Sequence, residues 1–119
     1  LTAYIHEKIM HAKHDPDGSK IFASEVIHGA PILKDYLHTE FKQWLDEKIT
    51  IIETWIKRGQ IDSVNPYHLL FLIWSSTQHY ADFNVQVLAG FGKDAMNDDD
   101  FDEVVGSLTD IILKGCGLV

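Results

Sequence analysis

The sequence is poor in cysteine and in positive charge, and it contains no long apolar run. Cys116 is the only cysteine, so an internal disulfide is excluded and a reducing compartment such as the cytoplasm is favoured. Ten Lys and Arg residues stand against eighteen Asp and Glu, for a formal charge of −8, and a field of that sign repels nucleic-acid phosphates. The apolar run at residues 69–74 ends after six residues, far short of the roughly 20 that cross a bilayer. These shortages exclude a disulfide-stapled domain, a stand-alone nucleic-acid-binding domain and a membrane-spanning protein.

What the sequence does contain is the composition of one ordinary globular domain. It has 119 residues, of which 45% are hydrophobic and 24% charged, and a chain of that size can bury a core of its own. We therefore treat residues 1–119 as a single domain. The first residue is Leu rather than Met, and Glu7, Lys8 and Lys13 make the start of the chain unlike a signal peptide. We expect the domain to be a part of a longer protein.

Hydrophobic periodicity predicts five helices and no strand, which makes the domain all-α. The second helix is expected to take Ser19 as its N-cap, and the fourth to begin with Asn65 as the cap and Pro66 as the first residue. The acidic cluster at residues 94–103 favours a helix start over a calcium loop, because the glycine and glutamate of an EF-hand are missing. The predicted spans are about residues 1–14, 19–28, 32–58, 65–89 and 98–114.

The fourth predicted helix is apolar almost all the way round, so it needs packing partners on two faces. Either it is the central helix of the core, or a second subunit covers part of it. The apolar residues of the fifth predicted helix also cover more than a single stripe. The two helices together favour a homodimer in which the last two long helices of each subunit form a four-helix bundle. The interface residues we predict are Leu69, Ile73, His79, Phe83 and Gln86 on the fourth helix and Val104, Leu108, Ile111 and Ile112 on the fifth.

A narrow polar seam interrupts the fourth helix and raises the question of catalysis. Ser75, His79 and Asp82 follow i, i+4, i+7 spacing and share one face. A Ser-His-Asp triad is disfavoured, because no G-x-S-x-G elbow surrounds the serine. His79 and Asp82 could form half of a metal site with His28 or His68. The alternatives are a seam that is hydrogen-bonded across a subunit interface or capped by water, and a seam that in part recognises a ligand. We predict no catalytic residue, no metal and no cofactor.

Several stretches of the sequence resemble the regulatory domain of one protein family. The most specific is residues 71–83, FLIWSSTQHYADF; the others are residues 21–31, 46–48, 55–59 and 66–69. They resemble the C-terminal domain of TetR-type transcriptional regulators, in the RutR-like subgroup that controls pyrimidine use. The resemblance implies a homodimer with a four-helix interface, and an N-terminal helix-turn-helix domain, absent here, that alone would contact DNA. It also implies a small-molecule effector, which in this subgroup is a pyrimidine base.

A planar base needs an apolar slot and a few hydrogen-bonding side chains. We assign the slot to Phe22, Trp74 and Tyr80. We assign the hydrogen bonds to Thr77 and Gln78. For Phe22 and Trp74 the alternative is a plain position in the core, and for Tyr80 it is the dimer contact.

The predicted function is an effector-binding and dimerisation domain of a cytoplasmic regulator. Effector binding would control, by allostery, DNA binding elsewhere in the protein. Two alternatives stay open. One is a purely structural helical dimerisation module, and the other is a small metal-dependent enzyme built on His79 and Asp82.

Overall fold

The computed structural model describes residues 1–118, and within them the chain is all helical, as the periodicity predicts. It has six helices rather than five, and none of the described helices has the length and apolar character needed to cross a bilayer. Helix α3 runs without interruption through three segments, Lys34–Tyr36, the π-helical Leu37–Phe41 and Lys42–Lys57. The other helices are α1 Thr2–His14, α2 Pro16–Ile27, α4 Pro66–Asp82, α5 Asn84–Phe91 and α6 Asp98–Gly115.

The second helix begins earlier than predicted. Asp15 is its N-cap, and the Asp15 carboxylate accepts a hydrogen bond of 3.1 Å from the backbone N–H of Gly18. Pro16 occupies the first helical position, where the missing N–H costs no helical hydrogen bond. The predicted cap, Ser19, lies inside the helix and donates its hydroxyl to Asp82 Oδ1 at 2.6 Å. Ser19 therefore ties α2 to the C-terminal end of α4.

The predicted fourth helix, residues 65–89, is wrong in its length because the chain breaks at Phe83. The backbone of Phe83 has φ −120° and ψ 32°, which lie outside the helical range. Asp82 precedes the break and Asn84 follows it, and both residue types favour caps and turns over helix interiors. The predicted start is confirmed, since Asn65 caps α4 through its side chain. The single long helix is therefore two helices, α4 and α5.

The acidic cluster forms the start of α6, as predicted. The Asn97 side chain accepts the N–H of Asp100 at 2.8 Å, and the Asp100 carboxylate accepts the N–H of Asn97 at 3.0 Å, which together make a capping box. Two of the carboxylates also pair with lysines, Asp98 with Lys13 on α1 and Asp100 with Lys93. The negative charges therefore stabilise the N-terminal end of α6, where the helix dipole is positive.

Helix α4 is the central helix of the domain, because all five other helices pack against it. This position accounts for most of its two-faced apolar pattern. Four residues predicted at a dimer interface are corrected to the core of the single chain, since a side chain enclosed by its own chain offers no surface to a partner. They are Leu69, Ile73, Val104 and Ile112, with exposed fractions of 7%, 0%, 6% and 4%.

The six helices form a thin slab. The Cα atoms extend 45 × 40 × 18 Å, and their radius of gyration is 15.6 Å, against about 13.5 Å for a typical domain of this length. The accessible surface is 7754 Å², about 1,200 Å² more than the roughly 6,500 Å² of a typical monomer of 13.5 kDa. Because helix axes pack about 8–10 Å apart, 18 Å accommodates two layers of helices. A slab of two layers leaves broad helix faces exposed.

Candidate functional site

A cavity of about 870 Å³ lies between α1, α2, α3 and α4. This volume falls within the roughly 300–1,000 Å³ that is typical of small-molecule sites. Two smaller cavities, of about 280 and 230 Å³, lie around Leu1 and Trp55. The larger cavity opens to solvent past Phe22 and Val26 of α2, each with 42% of its surface exposed. It is the candidate ligand site.

The π-helical segment of α3 shapes one wall of the cavity. Leu37, His38 and Phe41 all belong to this segment and line the cavity, with Tyr36 immediately before it. The Thr39 hydroxyl donates to the backbone oxygen of Asp35 at 2.7 Å, a local bond of the kind that competes with regular helix bonding. Short π-helical turns inside α-helices are frequent at functional sites. The irregular part of α3 therefore coincides with the cavity wall.

Four aromatic rings form the floor of the cavity. The ring centroid of Trp74 lies 5.7 Å from that of Phe41, 6.2 Å from that of Trp44 and 5.6 Å from that of Phe71. Contacts of this kind contribute about 0.5–1.5 kcal/mol each beyond the burial of area. The indole of Trp74 is therefore held rigidly and offers a planar apolar surface.

Helix α1 supplies a polar edge to the cavity. The indole Nε1–H of Trp74 donates to the hydroxyl oxygen of Tyr4 at 2.6 Å. Burial raises the pKa of Tyr4 above its ordinary value, so its hydroxyl keeps its proton at neutral pH. Lys8 follows one turn later on the same face of α1. Burial lowers the pKa of the Lys8 ammonium, and the nearby carboxylates of Glu7 and Asp82 act in the opposite direction.

Three of the five predicted ligand-binding residues line this cavity. Phe22, Trp74 and Gln78 contribute to its surface. Thr77 and Tyr80 do not. Thr77 is fully buried and donates its hydroxyl to a backbone oxygen one turn earlier at 2.7 Å, and Tyr80 packs against the core. Neither side chain reaches the cavity, so Thr77 is corrected to the core and Tyr80 to a partly buried position beside it.

Sequence reasoning missed much of the lining. Phe41 and Trp44 belong to the apolar stripe of α3, which looks the same whether it faces a packed core or a cavity. Tyr4 and Lys8 by themselves give no distinctive signal in the sequence, because a polar pair at i, i+4 is common on solvent-facing helix surfaces. A signal existed, since Tyr4 and Lys8 directly precede the buried Ile5 and Ile9 and so lie beside the core stripe.

The polar seam of α4 does not form a catalytic triad. Ser75 donates its hydroxyl to a backbone oxygen of its own helix at 3.2 Å, and Asp82 accepts the hydroxyl of a serine on α2. The ring of His79 stacks on a phenylalanine ring, with centroids 5.2 Å apart. Within residues 1–118 no three His, Cys, Asp or Glu side chains are grouped as metal ligands. Neither His28 nor His68 therefore completes a site with His79 and Asp82, and the metal-dependent enzyme gains no support from the geometry.

The other predicted interface residues reach the surface of the single chain. They are His79, Phe83, Gln86, Leu108 and Ile111. Phe83 exposes 54% of its surface and Ile111 64%, while Leu108 is partly buried against the core. Leu72 on α4 was not predicted at the interface, and it exposes 51%. These exposed apolar side chains are therefore available to a partner.

Comparison with known proteins finds similarity along the whole chain. The family described as YcdC-like protein, C-terminal region, matches residues 1–119. The chain is 39% identical over 115 residues to proteins named HTH-type transcriptional regulator RutR from Escherichia coli strain K12, Escherichia coli O157:H7 and Shigella flexneri. Each match covers 97% of this chain and 54% of the relative. The chain therefore spans about half the length of the curated relatives it matches.

Proposed function

Because the chain belongs to the family of YcdC-like C-terminal regions of TetR-type transcriptional regulators, we propose that it binds a small-molecule effector and forms a homodimer. The observation that carries the proposal is the cavity of about 870 Å³ between four helices. A cleft of this size that is lined mostly by apolar and aromatic side chains, with a few polar groups, is the usual form of a small-molecule site. An effector-binding domain requires such a cleft, whereas a purely structural module does not.

The effector we propose is a planar ring, with a pyrimidine base as the first candidate. The rigid indole of Trp74 offers a surface on which a ring can stack. The Gln78 amide carries both donors and an acceptor, and it can pair with the alternating donor and acceptor groups of a pyrimidine edge. The resemblance of residues 71–83 to pyrimidine-responsive regulators supports the same class.

The homodimer we propose uses the exposed apolar residues of α4 and α6 and the Phe83 junction. The slab exposes about 1,200 Å² more surface than a typical monomer of its mass. A standard interface removes about 800 Å² from each partner, so an interface of ordinary size would account for about two-thirds of the excess. Leu72, Phe83 and Ile111 are the apolar side chains that such an interface would cover.

The regulatory mechanism we propose couples the two sites through α4. This helix contributes Trp74 and Gln78 to the cavity and Leu72 and His79 to the outward face. An effector that favours one position of α4 would therefore favour one arrangement of the dimer. The relatives are named HTH-type regulators, and we propose that a helix-turn-helix domain outside this acidic chain contacts DNA in the bacterial cytoplasm. No catalytic step is needed.

The effector site is tested with Gln78→Leu. Losing the amide should weaken the binding of uracil or thymine by roughly 5–30-fold, because one buried hydrogen bond contributes about 1–2 kcal/mol. Isothermal titration calorimetry measures the change, and Gln43→Leu on the exposed face of α3 is the matched control. Sedimentation should show that neither variant alters the dimer.

Two results would contradict the proposal in different ways. Unchanged affinity in Gln78→Leu would remove this residue from the site. No thermal stabilisation by nucleobases, other small metabolites or fatty acids would favour the purely structural module, since a ligand that binds the native state raises its melting temperature.

A further inference from the structure

We propose that Tyr4 and Lys8 form an oxyanion-binding edge, so that the preferred effector is a planar ring carrying a carboxylate or a similar oxygen anion. The inference rests on the proposed function, because it concerns a ligand of the same cavity. It goes further by assigning a charge to the ligand and a recognition role to two residues of α1.

Within the described chain, Lys8 forms no ion pair with a carboxylate. The four ion pairs among residues 1–118 use Lys13, Lys42, Lys93 and Lys114. Lys8 takes part in none of them, although it is partly buried and lines the cavity. A charge that is partly removed from water without a counter-charge is destabilising. A ligand anion is the partner that would compensate it.

The hydroxyl of Tyr4 supplies a second donor beside Lys8. A phenol has one hydrogen to donate and can also accept. The Tyr4 oxygen already accepts the indole N–H of Trp74 at 2.6 Å, which fixes the position of the hydroxyl. Its own hydrogen donates to no acceptor within residues 1–118, so it is available to the ligand. Tyr4 and Lys8 are one helical turn apart on the same face of α1, and both line the cavity.

The cavity lining carries one lysine and no acidic side chain although the whole chain is acidic. The formal charge is −8, yet no Asp or Glu lines the cavity. Burial lowers the pKa of Lys8, and the carboxylates that act to raise it are those of Glu7 and Asp82. Asp82 accepts the hydroxyl of Ser19 at 2.6 Å and lies outside the lining. An anionic ligand therefore meets an ammonium and a phenol, and no lining carboxylate repels it.

The test compares two ligands that differ in charge and hardly in shape. The first is orotate, which is uracil bearing a carboxylate, and the second is its neutral carboxamide, orotamide. Calorimetry at pH 7 on the intact chain should show that orotate binds at least tenfold more tightly than orotamide. In Lys8→Met the ratio should fall below about threefold, and Tyr4→Phe should weaken orotate severalfold. Lys57→Met, at an exposed site on α3 outside the lining, should leave the ratio unchanged.

Two outcomes would overturn the inference and leave the proposed function standing. The first is uracil or orotamide binding as tightly as orotate in the unaltered chain. The second is Lys8→Met keeping the preference for orotate. If no probe binds, and uracil and thymine do not bind either, the inference and the proposed function fail together.

Thermal unfolding without ligand separates a recognition role from a structural one. A lysine that stabilises the fold through a neighbouring carboxylate lowers the melting temperature when it is replaced. Because Lys8 has no such partner, Lys8→Met should melt within a few degrees of Lys57→Met, or above it. A markedly lower melting temperature for Lys8→Met would show that Lys8 serves the fold and would contradict the assignment.

Discussion

Replacing Ile111 by Asp should dissociate the homodimer and leave the subunit folded. Ile111 exposes 64% of its surface in the single chain. Burying a whole isoleucine side chain contributes about 1.5–3 kcal/mol, so covering the exposed part is worth about 1–2 kcal/mol in each subunit. A two-fold symmetric interface contains the residue twice, which makes the loss about 2–4 kcal/mol. The dimer dissociation constant should therefore rise by at least about 30-fold, and further because a charge enters an apolar contact.

Sedimentation velocity over a range of concentrations measures this constant, and circular dichroism checks that the subunit stays helical. The matched control is Ile27→Asp, because Ile27 on α2 exposes 74% of its surface and lies outside the proposed interface. The control should dimerise like the unaltered chain. The reasoning is refuted if Ile111→Asp dimerises normally, or if both variants weaken the dimer equally.

Two further substitutions test the packing of the single chain. Ile73→Ala should lower the free energy of unfolding by about 2–5 kcal/mol, because Ile73 is completely buried and its removal leaves a cavity. Urea denaturation measures this loss, and an unchanged stability would place Ile73 outside the core. Ser19→Ala should lower stability by about 1.5–3 kcal/mol, because it removes a hydrogen bond to the Asp82 carboxylate. Hydrogen exchange should then rise mainly in α2, and equal exchange in the two proteins would show that this bond does not hold α2.

The periodicity of the sequence predicts helices well because each apolar stripe is a local property. The capped starts of α4 and α6 are read directly from Asn65 and the acidic cluster. The break at Phe83 is harder to predict, since the propensities of Asp82 and Asn84 differ from those of better helix formers by well under 1 kcal/mol each. In the folded chain Asp82 is held by Ser19, which is 63 residues away in sequence. A contact between residues so far apart does not show in the hydrophobic periodicity of the sequence.

The candidate site was predictable only where one helix carries most of it. Trp74 and Gln78 were identified because they lie on the distinctive fourth helix, whereas Tyr4 and Lys8 needed the relative placement of α1 and α4. The prediction of the interface residues is ambiguous for a related reason. An apolar residue must be covered, but periodicity does not say whether its own chain or a second one covers it. Ile73 and Ile111 both lie in the apolar pattern of a helix, yet Ile73 exposes 0% of its surface and Ile111 exposes 64%.

The central claim is that an effector binds in the cavity lined by Trp44 and Trp74, and the indole N–H resonances of the tryptophans test it most directly. Trp74 lines the large cavity alone, Trp44 lines it and one smaller cavity, and Trp55 lines only the two smaller cavities. In a 1H–15N titration with uracil and then orotate, the resonances of Trp74 and Trp44 should shift and saturate while that of Trp55 stays in place. A saturating shift of Trp55 with Trp74 unmoved, or no shift of any indole, would contradict the account.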